Sequence, residues 1–224
     1  MGKAVLPRAP MGRLAVARPI ARRAIRRQRA DAGAPSVTDR PALTPPDPPL
    51  HDGLVWLRLW RPEDEAAVTA ACQDREIARW VPIPVPYTEE HARRFIAAAA
   101  QGWADGSQAT FAVVGQDDDA VLGAITLHCG WPRRWGVGYW IAPWARRRGV
   151  ATAALRLLSR WAMREYDLVR LFLFTLDGNE ASQRTALAAG FRLDGTLRNY
   201  DDHRGEVRDA VFFSLIPSDL AAEA

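Results

Sequence analysis

Hydrophobic positions along residues 54–216 recur with two periods, and each change of period separates a predicted strand from a predicted helix. Short apolar or alternating runs predict strands, whereas apolar residues at every third or fourth position predict amphipathic helices. The predicted strands cover residues 54–60, 109–115, 120–130, 135–142, 169–176, 191–197 and 207–216, and the predicted helices follow residues 61, 87, 148 and 178. This order predicts a mixed α/β sheet with a strand–loop–helix crossover near residue 145.

Residues typical of helix ends refine these boundaries. Thr88 is the expected cap of the second helix, and Gly102 is expected to close it. Asn179 stands at the head of the last predicted helix, which should end before Gly190. The run 169–176 is mostly apolar, which predicts a strand buried on both faces.

Composition limits the class of protein that this chain can be. Its 224 residues are enough for one domain with a sizeable core, and 48% hydrophobic and 25% charged residues are typical of a soluble globular protein. No apolar run approaches the roughly 20 residues that span a bilayer, so no membrane association is expected. Cys72 and Cys129 lie in unrelated contexts, which favours two buried thiols in a reducing compartment and predicts a cytoplasmic location.

Charge is distributed unevenly along the chain. Residues 1–50 carry ten Lys or Arg and three Asp, a net charge of +7, whereas residues 51–224 carry 20 basic and 23 acidic residues, a net charge of −3. The first part also ends in a Pro-rich linker, which predicts a disordered basic extension over 1–50 and one domain over 51–224. An arm that contacts RNA or anionic lipid is the alternative for the extension. The acidic balance of the domain argues against nucleic-acid binding there.

Three consecutive arginines, Arg146 to Arg148, stand between a strand and a helix. The start of a helix carries the positive end of its dipole and disfavours cations, so an anionic ligand is expected at this point. Backbone N–H groups in such a loop can bind phosphate oxygens, and Gly149 allows the main chain to approach closely. A solvated basic loop before an ordinary helix is the alternative. The chain has no GxxxxGK[ST] and no GxGxxG, so neither a nucleoside triphosphatase nor a Rossmann fingerprint is indicated.

The stretch 141–151 resembles the acetyl-CoA signature of the GNAT N-acetyltransferase superfamily, Arg/Gln-x-x-Gly-x-Gly/Ala, carried here by Arg146, Gly149 and Ala151. The resemblance extends to Asn179-x-x-Ser182, Gly190-Phe191, the opening "LRLWRPEDEA" and the closing "RDAVFFSLI". Over about residues 54–216 the pattern is similar to the RimJ/RimL-like branch, which includes ribosomal-protein N-terminal acetyltransferases. The resemblance implies the GNAT fold, a central mixed and mostly antiparallel sheet that is flanked by helices and splays between its fourth and fifth strands.

The resemblance also implies acetyl-CoA as the co-substrate, with no metal, and a set of binding residues. Backbone groups of Trp140 and Ile141 would bind the pantetheine arm, and backbone N–H groups from Arg147 to Ala151 would bind the pyrophosphate. The three arginines would be counterions, and Asn179 would bond the pantetheine or cap its own helix. The implied cofactor residues are Trp140, Ile141, Arg146, Arg147, Arg148, Gly149, Val150, Ala151 and Asn179.

The implied chemistry is direct attack of an amine on the thioester, which uses a base, an oxyanion donor and an acid for the departing thiolate. Ser182 stands where this branch resembles a serine that can reach the sulfur, and local backbone bonding is its alternative role. Many relatives carry Glu where this chain has Gly136, so the base is open, with His128 as a candidate beside its structural alternative. Residues 200–203, in a predicted loop, are a further candidate border of the acceptor site.

Two functions remain from the sequence. The first is an acetyl-CoA-dependent N-acetyltransferase that acts on a primary amine, either a protein N-terminus or a small-molecule amine. The alternative is a non-catalytic acyl-CoA-binding or regulatory module that keeps the phosphate loop without the base. The expected partner is the amine substrate, with no nucleic acid and no membrane, and the expected assembly is a monomer or homodimer.

Overall fold

Eight strands form one mixed sheet in the computed structural model, which describes residues 42–130 and 133–221. The strands are β1 Leu50–His51, β2 Val55–Arg58, β3 Gln108–Gly115, β4 Val121–His128, β5 Arg134–Ile141, β6 Arg170–Leu176, β7 Arg192–His203 and β8 Glu206–Leu215. Their spatial order is β1-β2-β3-β4-β5-β6-β8-β7. The β5–β6 pair is parallel and the other neighbouring pairs are antiparallel, which confirms the predicted fold class.

The β5 and β6 strands diverge after a short common ladder. Their pairing runs from Arg134 with Arg170 to Gly136 with Phe172. Beyond this point β5 continues to Ile141 on the β4 side alone, while β6 stays paired with β8. The predicted splay is confirmed, and it opens a wedge in the middle of the sheet.

Helices cover both faces of the sheet. They are α1 Glu65–Ala71, α2 Arg75–Trp80, α3 Glu89–Asp105, α4 Val150–Glu165, α5 Glu180–Ala188 and α6 Pro217–Ala221, with 3-10 turns at Pro62–Asp64 and Pro143–Ala145. Leu155 and Leu158 on α4 are fully buried against one face, each worth about 1.5–3 kcal/mol of transfer free energy. A separate cluster on the other face joins α1, α2 and α3 to Trp140.

The end of α3 corrects one prediction. Thr88 caps the helix as expected, because its hydroxyl accepts the His91 N–H at 3.4 Å. The helix continues past Gly102, however, and ends at Gly106, whose φ of +69° is left-handed. A Cβ at Gly102 would lie 2.3 Å from Cγ of Gln108, so this glycine serves the close approach of α3 to β3.

Two strand predictions are also corrected. The run 170–176 is fully buried on one face and only partly buried on the other, where Phe174 is 39% exposed and Phe172 is partly exposed. These two rings line a cavity rather than the core. The predicted loop before the last strand is mostly strand, since β7 extends to His203 and only Arg204 and Gly205 form the turn.

The α2 helix was not predicted. Its sequence is short, and it starts where Asp74 accepts the Ile77 N–H at 3.0 Å as an N-terminal cap. Helices of six residues carry little periodicity, so tertiary contacts decide whether they form.

The first described residues contact the domain. Leu43 and Leu50 pack against the core, and the Thr44 N–H donates to Tyr166 Oη at 3.4 Å. The predicted extension over 1–50 therefore ends in a segment, 42–50, that contacts the domain, and the remainder lies outside the described residues. For residues 1–41 it stays a prediction.

A buried ion pair joins β2 to the turn before α1. The Arg58 guanidinium donates to both carboxylate oxygens of Asp64, at 2.8 and 2.9 Å, and to Asp119 at 2.8 Å. Arg58 and Asp64 are 9% and 7% exposed. These hydrogen bonds hold the pKa of Arg58 above its ordinary value and fix the β3–β4 turn to the start of the domain.

Candidate active site

The loop after β5 has the backbone of an anion site. Arg147 and Gly149 are both left-handed, with φ of +59° and +79°, and α4 begins at Val150. Within the described part of the chain, no side chain caps the N-terminus of this helix. The first N–H groups of a helix have no intrahelical acceptor, so those of Val150 and Ala151 are available to a ligand together with the positive end of the dipole.

A cavity of about 730 Å³ runs along this loop. Its walls include the predicted residues Trp140, Ile141, Arg146, Arg147, Gly149, Val150, Ala151, Asn179 and Ser182. The fold therefore brings together residues that are up to 42 positions apart in sequence. Arg148 is exposed and does not line the cavity, so its predicted role stays a prediction.

Arg146 has a protein partner that the sequence analysis missed. Its guanidinium donates to the Asp74 carboxylate at 2.5 and 3.4 Å, and these bonds hold the pKa of that carboxyl below its ordinary value. The same carboxylate caps α2. The side chain expected to be a ligand counterion also ties the loop to α2, and the signal for this contact was the Asp that precedes the short helix.

The wedge between β5 and β6 fits the extended arm of the implied co-substrate. The edge of β5 that faces β6 has no ladder partner over 138–141 among the described residues, so its peptide groups are free to pair with a chain that lies in the wedge. On the β6 side, Thr175 Oγ1 is buried and has no hydrogen-bond partner in the described part of the chain. Both features favour a polar, extended ligand such as pantetheine.

Ser182 and Tyr139 form a hydrogen-bonded pair at the wedge. Their hydroxyl oxygens are 2.8 Å apart, and the Ser182 N–H donates to Asn179 Oδ1 at 3.2 Å. Asn179 is therefore a helix cap, which is one of its two predicted roles. Burial raises the pKa of Tyr139, so its hydroxyl stays protonated at neutral pH. Tyr139 was missed as a site residue, although it lies on the predicted strand over 135–142.

A second cavity of about 630 Å³ lies on the α1–α3 face of the sheet, and we call it the acceptor groove. Its walls are mostly apolar and include Trp80, Pro82, Ile83, Phe95, Phe172 and Phe174. It meets the first cavity at Trp80, Val81, Tyr139, Trp140, Asn179 and Ser182, which line both. Ligands in the two cavities would therefore meet beside Ser182.

The β7–β8 hairpin forms one end of the acceptor groove. Asp201 and His203, from the segment proposed as a border, line it. His203 is buried, with Nε2 2.8 Å from the Arg79 carbonyl oxygen, and Arg204 donates to the Ala78 carbonyl at 2.9 Å. Tyr200 does not line the groove and packs against the rings of Phe174 and Phe212. This hairpin therefore holds α2 in place over the groove.

Within 42–130 and 133–221, no helix combines the length and apolar character needed to cross a bilayer. The same part of the chain holds no group of three or more His, Cys, Asp or Glu side chains arranged to bind a metal ion.

Comparison with known proteins gives a family match over most of the domain. The family model described as "Acetyltransferase (GNAT) domain" matches residues 55–192. YdaF of Bacillus subtilis (strain 168), named as a ribosomal N-acetyltransferase, is 32% identical over 108 residues, which cover 47% of this chain and 59% of that protein. The N-acetyltransferase YoaA of the same organism is 25% identical over 171 residues, 75% of this chain and 97% of YoaA.

The solved structure of Mycobacterium smegmatis RimJ, in complex with CoA-disulfide, has the same fold. Its TM-score is 0.68 at 23% identity, and the match covers 77% of this chain and 87% of RimJ. The predicted resemblance to the RimJ/RimL-like branch is confirmed, and the alternative of a non-catalytic module is not favoured. The chain therefore belongs to the GNAT acetyltransferase family, as an enzyme that transfers an acetyl group from acetyl-CoA to an amine.

Proposed function

We propose that this enzyme acetylates the N-terminal amine of a protein, and that the protein is a ribosomal one. The name of the relative YdaF, a ribosomal N-acetyltransferase, supports the acceptor class. The observation that carries the proposal is the junction of the two cavities at Tyr139 and Ser182. An acetyl donor in one cavity and an amine in the other would meet at that junction. An open groove with apolar walls suits the end of an extended peptide.

The proposed cofactor site follows the predicted residue set with one change. Backbone N–H groups between Arg147 and Ala151 would bind the pyrophosphate, and the free edge of β5 at Trp140 and Ile141 would bind the pantetheine arm. Arg146 would act on the loop through its ion pair with α2 rather than on the ligand. Bound acetyl-CoA supplies the thioester whose carbonyl carbon the amine attacks.

We assign Ser182 to the departing thiolate. Its hydroxyl lies where the cavities meet, and its N–H bond to Asn179 holds the start of α5 in position. Tyr139 donates to Ser182 Oγ when the Ser182 proton is directed to the sulfur, because its own hydroxyl is protonated at neutral pH. The pair would therefore act as a short donor chain that ends at the leaving group.

We further propose a cytoplasmic location and a monomeric or homodimeric enzyme. Ribosomal proteins are made in the cytoplasm, so their N-termini are accessible to an acetyltransferase there. Cys72 and Cys129 are thiols that form no disulfide in the described part of the chain, which suits a reducing compartment.

The proposal is tested with the purified full chain, acetyl-CoA and a panel of acceptors. The panel holds peptides with the N-terminal sequences of ribosomal proteins, the same peptides with blocked N-termini, and polyamines. Release of free thiol together with one added acetyl group in the peptide mass spectrum is expected for the free N-termini alone. If polyamines are acetylated in preference to peptides, the acceptor is a small-molecule amine and not a protein N-terminus. If acetyl-CoA binds but no amine causes the release of free thiol, the proposal is overturned.

A further inference from the structure

His128 lies at the end of β4 on the floor of the acceptor groove. In the β4–β5 ladder it stands opposite Gly136, and Thr126 stands opposite Gly138. Opposed residues of antiparallel strands share a face, and all four of these residues line the acceptor groove. The β5 side of this floor therefore carries no side chains beside the imidazole.

The two glycines determine where the imidazole lies. A Cβ at Gly138 would lie 3.3 Å from Nε2 of His128, so the ring extends diagonally over that glycine. A Cβ at Gly136 would lie 3.8 Å from Cβ of His128 and 3.2 Å from Cζ of Phe172. Gly138 is two residues beyond the last β5–β6 pair. Nε2 is therefore directed along β5 toward the wedge, where the thioester would enter.

Neither ring nitrogen of His128 has a hydrogen-bond partner among the described residues, and the side chain is exposed to the groove. Desolvation by the protein around the ring lowers the pKa of His128, so the neutral imidazole predominates at pH 7. The other titratable groups that line the groove are Cys72 on the α1 end, Tyr87 before α3, Tyr139 on β5, and Asp201 and His203 on β7. Burial raises the pKa of Cys72 to about 11 and also raises the pKa of Tyr87. The His203 ring is hydrogen-bonded to the Arg79 carbonyl oxygen.

We infer that His128 is the catalytic base that removes the proton from the acceptor amine, an inference that rests on the proposed function. Nε2 takes one proton from the incoming ammonium, and the amine lone pair forms the N–C bond to the thioester carbonyl. The tetrahedral adduct loses its second nitrogen proton as the C–S bond breaks, and the thiolate takes one proton from the Ser182 side. One proton is released to solvent for each acetyl group transferred.

The test uses His128→Gln and His128→Ala, with His51→Gln as the matched control. His51 is an exposed histidine on β1 that stacks on Trp56 and lines neither cavity. Loss of a general base costs about 10²–10⁴-fold, so we expect kcat to fall at least about a hundredfold in both variants. The acetyl-CoA Kd and the melting temperature should stay at wild-type values, and His51→Gln should retain full activity.

Two readouts separate a base from a structural histidine. Free imidazole should restore activity to His128→Ala in proportion to its unprotonated fraction. The wild-type kcat should fall as the pH drops through the His128 pKa, which lies below its ordinary value, and this acid limb should be absent in His128→Gln. An unchanged kcat in the two His128 variants would overturn the assignment of His128 as the base. An acid limb that persists in His128→Gln, together with no rescue of His128→Ala by imidazole, would overturn it as well. Neither result would contradict the acetyltransferase activity. A wild-type enzyme that acetylates no amine would overturn the proposed function itself, and this inference with it.

Discussion

Replacing Gly149 by valine should abolish tight acetyl-CoA binding and leave the protein folded. The φ of +79° at this position is left-handed, which costs an L-residue roughly 1–2 kcal/mol and a β-branched one more. If the free variant relieves this strain by rotating the peptide group at position 149, the ligand must restore the strained backbone conformation when it binds. That requirement alone weakens binding by a factor of about 5–30. The valine side chain would also occupy the cavity wall that Gly149 forms, so a loss beyond tenfold is expected.

A second glycine provides the matched control. Gly205 in the β7–β8 turn has a φ of +80°, and a Cβ there would meet no atom within 4 Å. Gly205→Val carries the same backbone strain and lines neither cavity. For a domain of this size, about 1 kcal/mol shifts the melting temperature by roughly 2–4 °C, so both variants should melt about 2–8 °C lower.

Calorimetric titration with acetyl-CoA then separates strain from ligand contact. The Kd should rise at least tenfold, about 1.4 kcal/mol, in Gly149→Val alone. A wild-type affinity for acetyl-CoA in folded Gly149→Val would refute the assignment of this loop to the cofactor. A folded Gly205→Val with the same loss of affinity would show that backbone strain acts on binding from a distance, which also contradicts the reasoning.

Ser182→Ala should lower kcat about tenfold to a hundredfold and leave the acetyl-CoA Kd unchanged. The loss of kcat is no larger because a thiolate is a fair leaving group without a proton donor. Tyr139→Phe should lower kcat less, and steady-state assays of thiol release check both variants. Asp64→Asn should destabilise the fold by about 3–5 kcal/mol, since it leaves the Arg58 charge buried without its bidentate partner, and a denaturant midpoint close to wild type would contradict this. Removing residues 1–41 should leave the melting temperature and turnover intact, whereas a tenfold drop in rate would show that this segment contributes to the active site.

Local chemistry explains the predictions that hold. Thr88 and Asn179 cap helices because short polar side chains satisfy free N–H groups wherever a helix begins. The apolar stripe of α4 and the alternation along β4 appear in the sequence because each element buries one face. Sequence reasoning failed where spatial neighbours set the outcome. Gly102 resembles a helix end but serves contact with β3, and Phe174 resembles a core residue but lines a groove.

The sequence by itself determined the order of most elements, the loop with Gly149 before α4 and the family to which this chain belongs, because these depend on neighbours within a few positions. Tertiary structure alone decided what the side chains of the site do. Arg146 meets Asp74, Tyr139 meets Ser182, and the His128 ring extends over Gly138. Each pairing joins separate elements across the sheet. No local pattern encodes such a distance, because it depends on how strands that diverge between β5 and β6 place their residues around the wedge.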